Sequence, residues 1–259
     1  KVFLTMNLPV NRRFFIQSAA LASAAVAAHR SANLFAADKP LFEISLAQWS
    51  LNRQFFAFLG NGRGGEAEKL DPQDFAVIAK DRFGITGVEY VNQFYKNHVP
   101  DEAYLQTLKK KAADSGVTNV LIMCDGEGNL GDPDSKKRLT AVRNHIKWLE
   151  WAAELGCHSI RVNAASSGSY NEQLDLAADG LLRLTELADT YDLNVIVENH
   201  GGLSSHGRWL ATVMSMVNHP RCGTLPDFGN FFIERGQNAQ EYDRYLGTSE
   251  LMPFAKGVS

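Results

Sequence analysis

Carboxylate, amide and imidazole side chains follow directly after an apolar run in the second half of the chain. Residues 195–197 (VIV) are apolar and β-branched, and Glu198 comes next, followed by an amide and an imidazole. Such a short apolar run predicts a buried strand. Residues 223–230 (GTLPDFGN) repeat this plan and place Asp227 after a second strand. A carboxylate at the tip of a buried strand requires a cation or a donor, so we predict that Glu198 and Asp227 face each other across a divalent metal.

These side chains must be positioned by the elements around them, and strands and helices alternate after residue 40. The sequence predicts strands over residues 42–49, 86–91, 117–124, 158–163, 193–198, 221–227 and 254–259. It predicts helices over residues 71–82, 101–115, 135–155, 171–191 and 208–217, and a short helical region over 241–246. Alternating units with parallel crossovers predict a layered α/β fold. Seven units without a dinucleotide-binding fingerprint favour a TIM (β/α)8-type barrel, with one domain over residues 38–259 that is truncated before strand 8.

The carboxyl ends of the predicted strands carry the candidate site, because barrel enzymes place their chemistry there. Besides Glu198 and Asp227, these positions supply six predicted substrate-binding residues, which are Trp49, Glu89, Arg161, Asn163, His200 and Asn230. Aromatic faces stack on the C–H surfaces of sugars, while amides and carboxylates bind hydroxyl groups. Hard oxygen ligands, with an imidazole nearby, suit Mg²⁺, Mn²⁺ or Zn²⁺. The sequence therefore predicts a site for a sugar or a sugar-like polyol and one divalent metal.

Two motifs with their spacing resemble a known family. The segments VENH at residues 197–200 and PDFGN at residues 226–230 are similar to the sugar phosphate isomerase/epimerase family, the xylose-isomerase-like barrels, over about residues 42–259. The resemblance implies one divalent metal held by Glu198 and Asp227, with two further ligands expected beyond Ser259. It also implies proton transfer at a carbon next to a carbonyl, with Glu198 taking the proton while the metal stabilises the enediolate.

Other functions are open to the same residues. One alternative is an exported sugar-binding barrel without catalysis, and another is a DNA repair enzyme similar to endonuclease IV. The formal charge of −3 gives no electrostatic footprint for nucleic acid, and Asn230 stands where the repair enzymes resemble a D-x-x-H motif. Glu198 and Asp227 would otherwise cap loops or pair with Arg161, and Glu89 would otherwise form an ion pair with Arg161 at the barrel rim.

Several residues near the site also have a purely structural interpretation. Trp49 would otherwise belong to the core, and His200 would be a loop histidine bonded to backbone. A packing role is preferred for His145. Residues 125–134 (DGEGNLGDPD) resemble a calcium loop in composition but lack its spacing, which favours a solvated loop. The three cysteines form no metal-binding or redox pattern and are predicted to be buried free thiols: Cys124, Cys157 and Cys222.

The first 37 residues resemble an export signal rather than part of the fold. Arg12 and Arg13 precede a weakly apolar stretch rich in small residues that continues to Ala37. This pattern is typical of a bacterial twin-arginine signal. It predicts that the export partner is the twin-arginine machinery and that the mature protein is periplasmic. An amphipathic helix of the domain and a membrane anchor are the alternatives. The sequence is compatible with a homo-oligomer.

Overall fold

The computed structural model describes residues 42–259, so the predicted export signal over residues 1–37 lies outside the described residues. The centre of the fold is a six-stranded parallel sheet in which strands that follow one another along the chain are neighbours. Its strands are β1 (Leu46–Ala47), β2 (Gly87–Val91), β3 (Thr118–Met123), β4 (Ser159–Val162), β5 (Asn194–Glu198) and β6 (Cys222–Leu225). This sequential parallel order is that of an α/β barrel, as the sequence predicts.

Helices alternate with the strands along the chain. They are α1 (Asn52–Leu59), α2 (Phe75–Phe83), α3 (Glu102–Asp114), α4 (Ser135–Leu155), α5 (Tyr170–Asp189), α6 (Gly207–Val217) and α7 (Arg244–Leu251). Capping fixes their limits: the Asp134 carboxylate accepts from the first backbone N–H groups of α4, and Ser169 forms a capping box with Glu172 on α5. Within residues 42–259, no helix is long and apolar enough to cross a bilayer.

The apolar core lies between the sheet and the helices that pack beside one another around it. Val195, Ile196 and Val197 of β5 are fully buried, as expected for a strand covered on both faces. Trp148 of α4 and Trp209 of α6 are the largest buried side chains.

The prediction of free thiols is confirmed, because Cys124, Cys157 and Cys222 form no disulfide and are buried or half-buried.

The structure differs from the predicted elements at both ends of the described residues. The first strand is confined to β1 because Phe42 and Ile44 are exposed to 73% and 67% and do not pack in a core. Helix α1 was not predicted; Phe55 and Phe56 bury one side of it, and Gly60 ends it in the left-handed conformation.

A second difference lies after β6. The chain forms a small antiparallel hairpin of β7 (Phe232–Glu234) and β8 (Gln240–Glu241) that was not predicted. The predicted helical region over residues 241–246 is placed too early, because Asp243 caps α7 and the helix extends to Leu251. The predicted seventh strand is reduced to one parallel bridge, Thr224 to Ala255, with Lys256 N–H donating to the Thr224 carbonyl.

Candidate functional site

A buried arginine lies at the centre of the carboxyl ends of the strands. Arg161 on β4 is 4% exposed, and its guanidinium pairs with the Glu198 carboxylate and, at 2.7 Å, with Asp125 Oδ1. Asn163 Nδ2 donates to the same Asp125 oxygen at 2.8 Å. Burial alone would lower the pKa of Arg161, but the two carboxylates raise it above its ordinary value. The arginine therefore stays charged and joins the ends of β3 and β5.

Glu198 ends β5 and is 6% exposed. Burial raises its pKa above the ordinary value; the charges of Arg161 and His200 oppose this rise, and the charge of Asp227 adds to it. Arg161 binds one carboxylate oxygen, Oε2. The other oxygen, Oε1, accepts no hydrogen bond from the described residues. Glu198 is thus held in place at one oxygen and is available at the other.

A buried amide ties the end of β5 to the loop after β6. Asn199 is fully buried, and its Nδ2 donates to the carbonyls of Asp227 at 2.9 Å and Asn230 at 3.1 Å. Its Oδ1 accepts from Asp227 N–H at 2.7 Å. The Asp227 carboxylate accepts from Gly229 N–H through Oδ1 at 2.7 Å, which leaves Oδ2 without a donor among the described residues. Asn199 therefore positions Asp227 beside the strand that carries Glu198.

The donor chemistry of Glu198 and Asp227 fits a divalent cation. They stand at neighbouring strand ends, since Glu198 lies opposite Leu225 in the register of β5 and β6. Each keeps one carboxylate oxygen free of protein donors, and such hard ligands suit Mg²⁺, Mn²⁺ or Zn²⁺. Within residues 42–259, no three His, Cys, Asp or Glu side chains are grouped as a metal site. Among the described residues, these two carboxylates alone do not form a complete metal site.

Two predicted substrate-binding residues belong to the first two strand units: Trp49 follows β1, and Glu89 lies within β2. Glu89 is buried and accepts from the Ser45 hydroxyl. Burial raises its pKa, the Ser45 hydrogen bond lowers it, and the charge of Glu198 adds to the rise. Trp49 is 41% exposed and stacks on Phe94 with ring centroids 6.5 Å apart. Trp49 thus has one part in the core and one part open to solvent.

The other two predicted residues differ in what they offer. The Asn230 side chain accepts from Arg235 at 2.5 Å, and its carbonyl accepts from Asn199, so it organises the loop after β6. His200 is exposed, and its backbone N–H donates to the Ser204 hydroxyl at 3.1 Å. Because the His200 side chain is exposed and forms no hydrogen bond within residues 42–259, it is available for contact with a ligand.

The loop after β3 is solvated only in part: Gly126, Gly128 and Asn129 are exposed, as predicted, but two of its acidic residues point into the protein. Asp125 turns inward to Arg161, and Glu127 is 5% exposed. Asn92 Nδ2 donates to Glu127 Oε1 at 3.0 Å, and Lys147 pairs with Oε2 at 3.0 Å. Neither acid was predicted as a site residue from the sequence. The signal was available for Asp125, because it follows a strand end just as Glu198 does.

A cavity of about 250 Å³ opens beside this loop. It is lined by Cys124, Gly126, Glu127, Gly128, Asn129, His145, Asn163, Ala165 and His200. The structure thus brings Asn163 and His200 together with His145 of α4, which is buried but also faces this space. The loop is pressed against α5, because a Cβ at Gly180 would lie 1.8 Å from the Leu130 carbonyl oxygen.

Comparison with known proteins gives the same architecture. A family model described as xylose isomerase-like TIM barrel matches residues 77–253. The chain is similar in structure to 3-keto-D-glucoside 4-epimerase from E. coli, with a TM-score of 0.59, 16% identity, and coverage of 73% of each chain. It is similar to D-psicose 3-epimerase from Clostridium cellulolyticum H10, with a TM-score of 0.59, 13% identity, and coverage of 73% of this chain and 67% of that one.

A third similar structure is that of the IolI protein with a zinc atom, with a TM-score of 0.54, 14% identity, and coverage of 61% of this chain and 58% of that one. A search of curated protein sequences found no match. At these identities the structural likeness establishes the fold, while the family model covers more than half of the chain. The chain belongs to the xylose isomerase-like TIM barrel family.

Proposed function

We propose that the protein is an isomerase or epimerase that transfers a proton at a carbon next to the carbonyl of a sugar or sugar-like polyol. The observation that carries this proposal is the geometry of Glu198. It stands at a strand end, is fixed by Arg161 at one oxygen, and has a second oxygen without a protein donor. A base for proton abstraction needs this combination of fixed position and available lone pair.

The surrounding residues have separate roles in this proposal. Glu198 takes the proton from the carbon through Oε1. Arg161 orients Glu198 and is in turn held by Asp125 at 2.7 Å. Trp49, Glu89, Asn163 and His200 would contact the hydroxyl groups and C–H faces of the substrate. Two structural relatives are named as sugar epimerases, which supports a sugar as the substrate class.

Asp227 would also hold a divalent metal through its free Oδ2, with the Glu198 carboxylate as a second ligand. When bound, the ion would supply positive charge that polarises the substrate carbonyl. The carboxylate donors support this assignment, and so does the IolI structure, which contains a bound zinc atom. Asn199 contributes by fixing the Asp227 backbone at 2.7 Å.

Exchange of substrate hydrogen with solvent tests the proposal. The protein is incubated with D-tagatose or D-fructose in D₂O with Mn²⁺, and loss of the proton signal next to the carbonyl is followed by NMR. We expect Glu198→Gln to slow exchange by about 10²–10⁴-fold, the usual contribution of a general base. The matched control is Glu68→Gln, which removes a surface carboxylate paired with Arg82.

Two outcomes would contradict the proposal. Exchange at an unchanged rate in Glu198→Gln would remove Glu198 from the chemistry. Binding of either sugar without any exchange in the wild type would favour the alternative of a sugar-binding barrel without catalysis.

A further inference from the structure

The cavity beside the loop after β3 presents a hydrogen-bond acceptor from α4. His145 Nδ1 lies 2.8 Å from the Ala141 carbonyl oxygen, which can only accept, so Nδ1 carries the ring proton. Burial lowers the pKa of His145, which keeps the ring neutral at pH 7. In this tautomer Nε2 is an acceptor, and it has no partner among the described residues. The ring lines the cavity, so this acceptor is available to a ligand there.

A second acceptor without a donor lies in the wall of the same cavity. Asn163 Nδ2 donates to Asp125 Oδ1 at 2.8 Å, whereas Asn163 Oδ1 is buried and accepts no hydrogen bond from residues 42–259. A buried acceptor left without a donor costs free energy. A hydroxyl group in the adjoining cavity would supply the missing donor.

The charges around the cavity do not favour an anion. Neither lysine nor arginine is among its lining residues. Lys96 and Lys147 both pair with Glu127, a buried carboxylate of the cavity wall, at 3.3 Å and 3.0 Å. A phosphate would bring acceptor oxygens to a wall that already offers acceptors, whereas a hydroxyl can donate to them.

We propose that this cavity is a subsite for an uncharged, hydroxyl-bearing part of the ligand, recognised by His145 Nε2 and Asn163 Oδ1. The inference rests on the proposed function, because it takes the ligand to be the substrate of the same site. It narrows the substrate class to sugars whose hydroxylated end carries no phosphate. The volume of about 250 Å³ suits a small polyol fragment.

Histidine NMR on the full chain tests the subsite directly. Protein labelled with ¹⁵N-histidine is titrated with glycerol, D-fructose and D-fructose 6-phosphate, and the His145 ring signal is assigned through its loss in His145→Gln. We expect the two neutral compounds to shift this signal in a saturable way, with D-fructose 6-phosphate binding no more tightly than D-fructose. Asn163→Ala is expected to weaken D-fructose binding by about threefold to tenfold, the effect of one neutral hydrogen bond.

Asn194→Ala is the matched control. Asn194 begins β5 at the opposite end of the sheet and donates to the His158 carbonyl at 2.8 Å, so this variant should bind D-fructose like the wild type. The subsite is overturned if neither neutral compound shifts the His145 signal, or if the phosphate ester binds more tightly. The readout is independent of turnover, so failure of solvent exchange with intact binding would refute the proposed reaction and leave the subsite standing.

Discussion

Two arginines bridge pairs of carboxylates at opposite ends of the same sheet. At the carboxyl end, Arg161 pairs with Asp125 and Glu198, and its side chain is 5% exposed. At the amino end, Arg221 pairs with two aspartates at and just after the end of α5, and its side chain is 28% exposed. Each end thus has one arginine between two carboxylates, but the arginine is buried at the carboxyl end and partly exposed at the amino end. The buried bridge at the carboxyl end has lost more hydration than the exposed one, so removing its arginine should cost more.

The largest effect is expected when the buried bridge is broken. Arg161→Gln leaves the buried Glu198 and the half-buried Asp125 without their cation, and we expect the free energy of unfolding to fall by about 3–5 kcal/mol. Urea denaturation followed by circular dichroism measures the change. Arg221→Gln is the matched variant, and it should change stability little because exposed ion pairs contribute little. An equal fall in the free energy of unfolding in the two variants would contradict the expected difference between the buried and the exposed arginine.

A smaller effect is expected from the two asparagines of β5 and its end. Asn199→Ala removes three hydrogen bonds and leaves the Asp227 backbone without its partner, so we expect a loss of about 2–3 kcal/mol. Asn194→Ala removes a single hydrogen bond, and a loss of about 1 kcal/mol is expected. Thermal unfolding ranks the two. A larger loss of stability in Asn194→Ala than in Asn199→Ala would show that the hydrogen bonds of Asn199 to the loop after β6 contribute little.

A smaller effect is expected from salt, which should weaken the ion pairs of Arg221 more than those of Arg161. Raising the ionic strength from about 0.1 M to about 1 M shortens the screening length from about 10 Å to about 3 Å. The destabilisation by Arg221→Gln should shrink towards zero under this change, whereas that by Arg161→Gln should persist. Urea titrations of both variants at the two salt concentrations give the answer. A strong salt dependence for Arg161→Gln would mean that water reaches its ion pairs.

The smallest effect concerns pH and His145. Burial lowers the pKa of His145 below its ordinary value of 6.5 in the folded state, so the unfolded chain binds the proton more readily. Stability due to this residue is complete above pH 6.5 and is lost as the pH falls from there through the folded pKa. Glu127, Lys96 and Lys147 are the charged groups that act on the ring. His145→Gln should flatten this part of the stability profile, and an unchanged slope would contradict the assignment.

Local rules were sufficient for most of the elements. Helix α4 has the predicted bounds because Asp134 begins it and Gly156 ends it, and both signals lie within the segment itself. The strands were recognised from apolar runs. The β7–β8 hairpin was not, because its residues are mostly half-buried or exposed and leave no apolar pattern. Helix α1 was missed because two adjacent phenylalanines in a short run do not distinguish helix from strand.

The candidate site was predictable only where chain order determines proximity. Glu198 and Asp227 follow consecutive parallel strands, so their position at one edge follows from the fold. The contact of Asp125 with Arg161 joins residues 36 apart and depends on which way a loop turns. His145 lines the cavity only because one particular face of α4 packs against the end of the sheet. Residue spacing alone does not determine which face of the helix this is. Both features, the Asp125–Arg161 contact and the position of His145, depend on packing between residues that are far apart in the sequence.

The close approach of Leu130 to Gly180 sets an upper size for any molecule that enters the cavity. The Gly131 N–H also donates to the Ala165 carbonyl at 3.0 Å, so the backbone of this wall is anchored on two sides. We therefore expect the loop to resist being pushed outward by a larger molecule. Changing the preference of the protein towards bulkier compounds would therefore require trimming a lining side chain such as Asn129. Loosening the loop by Gly180→Ala would instead displace the whole wall.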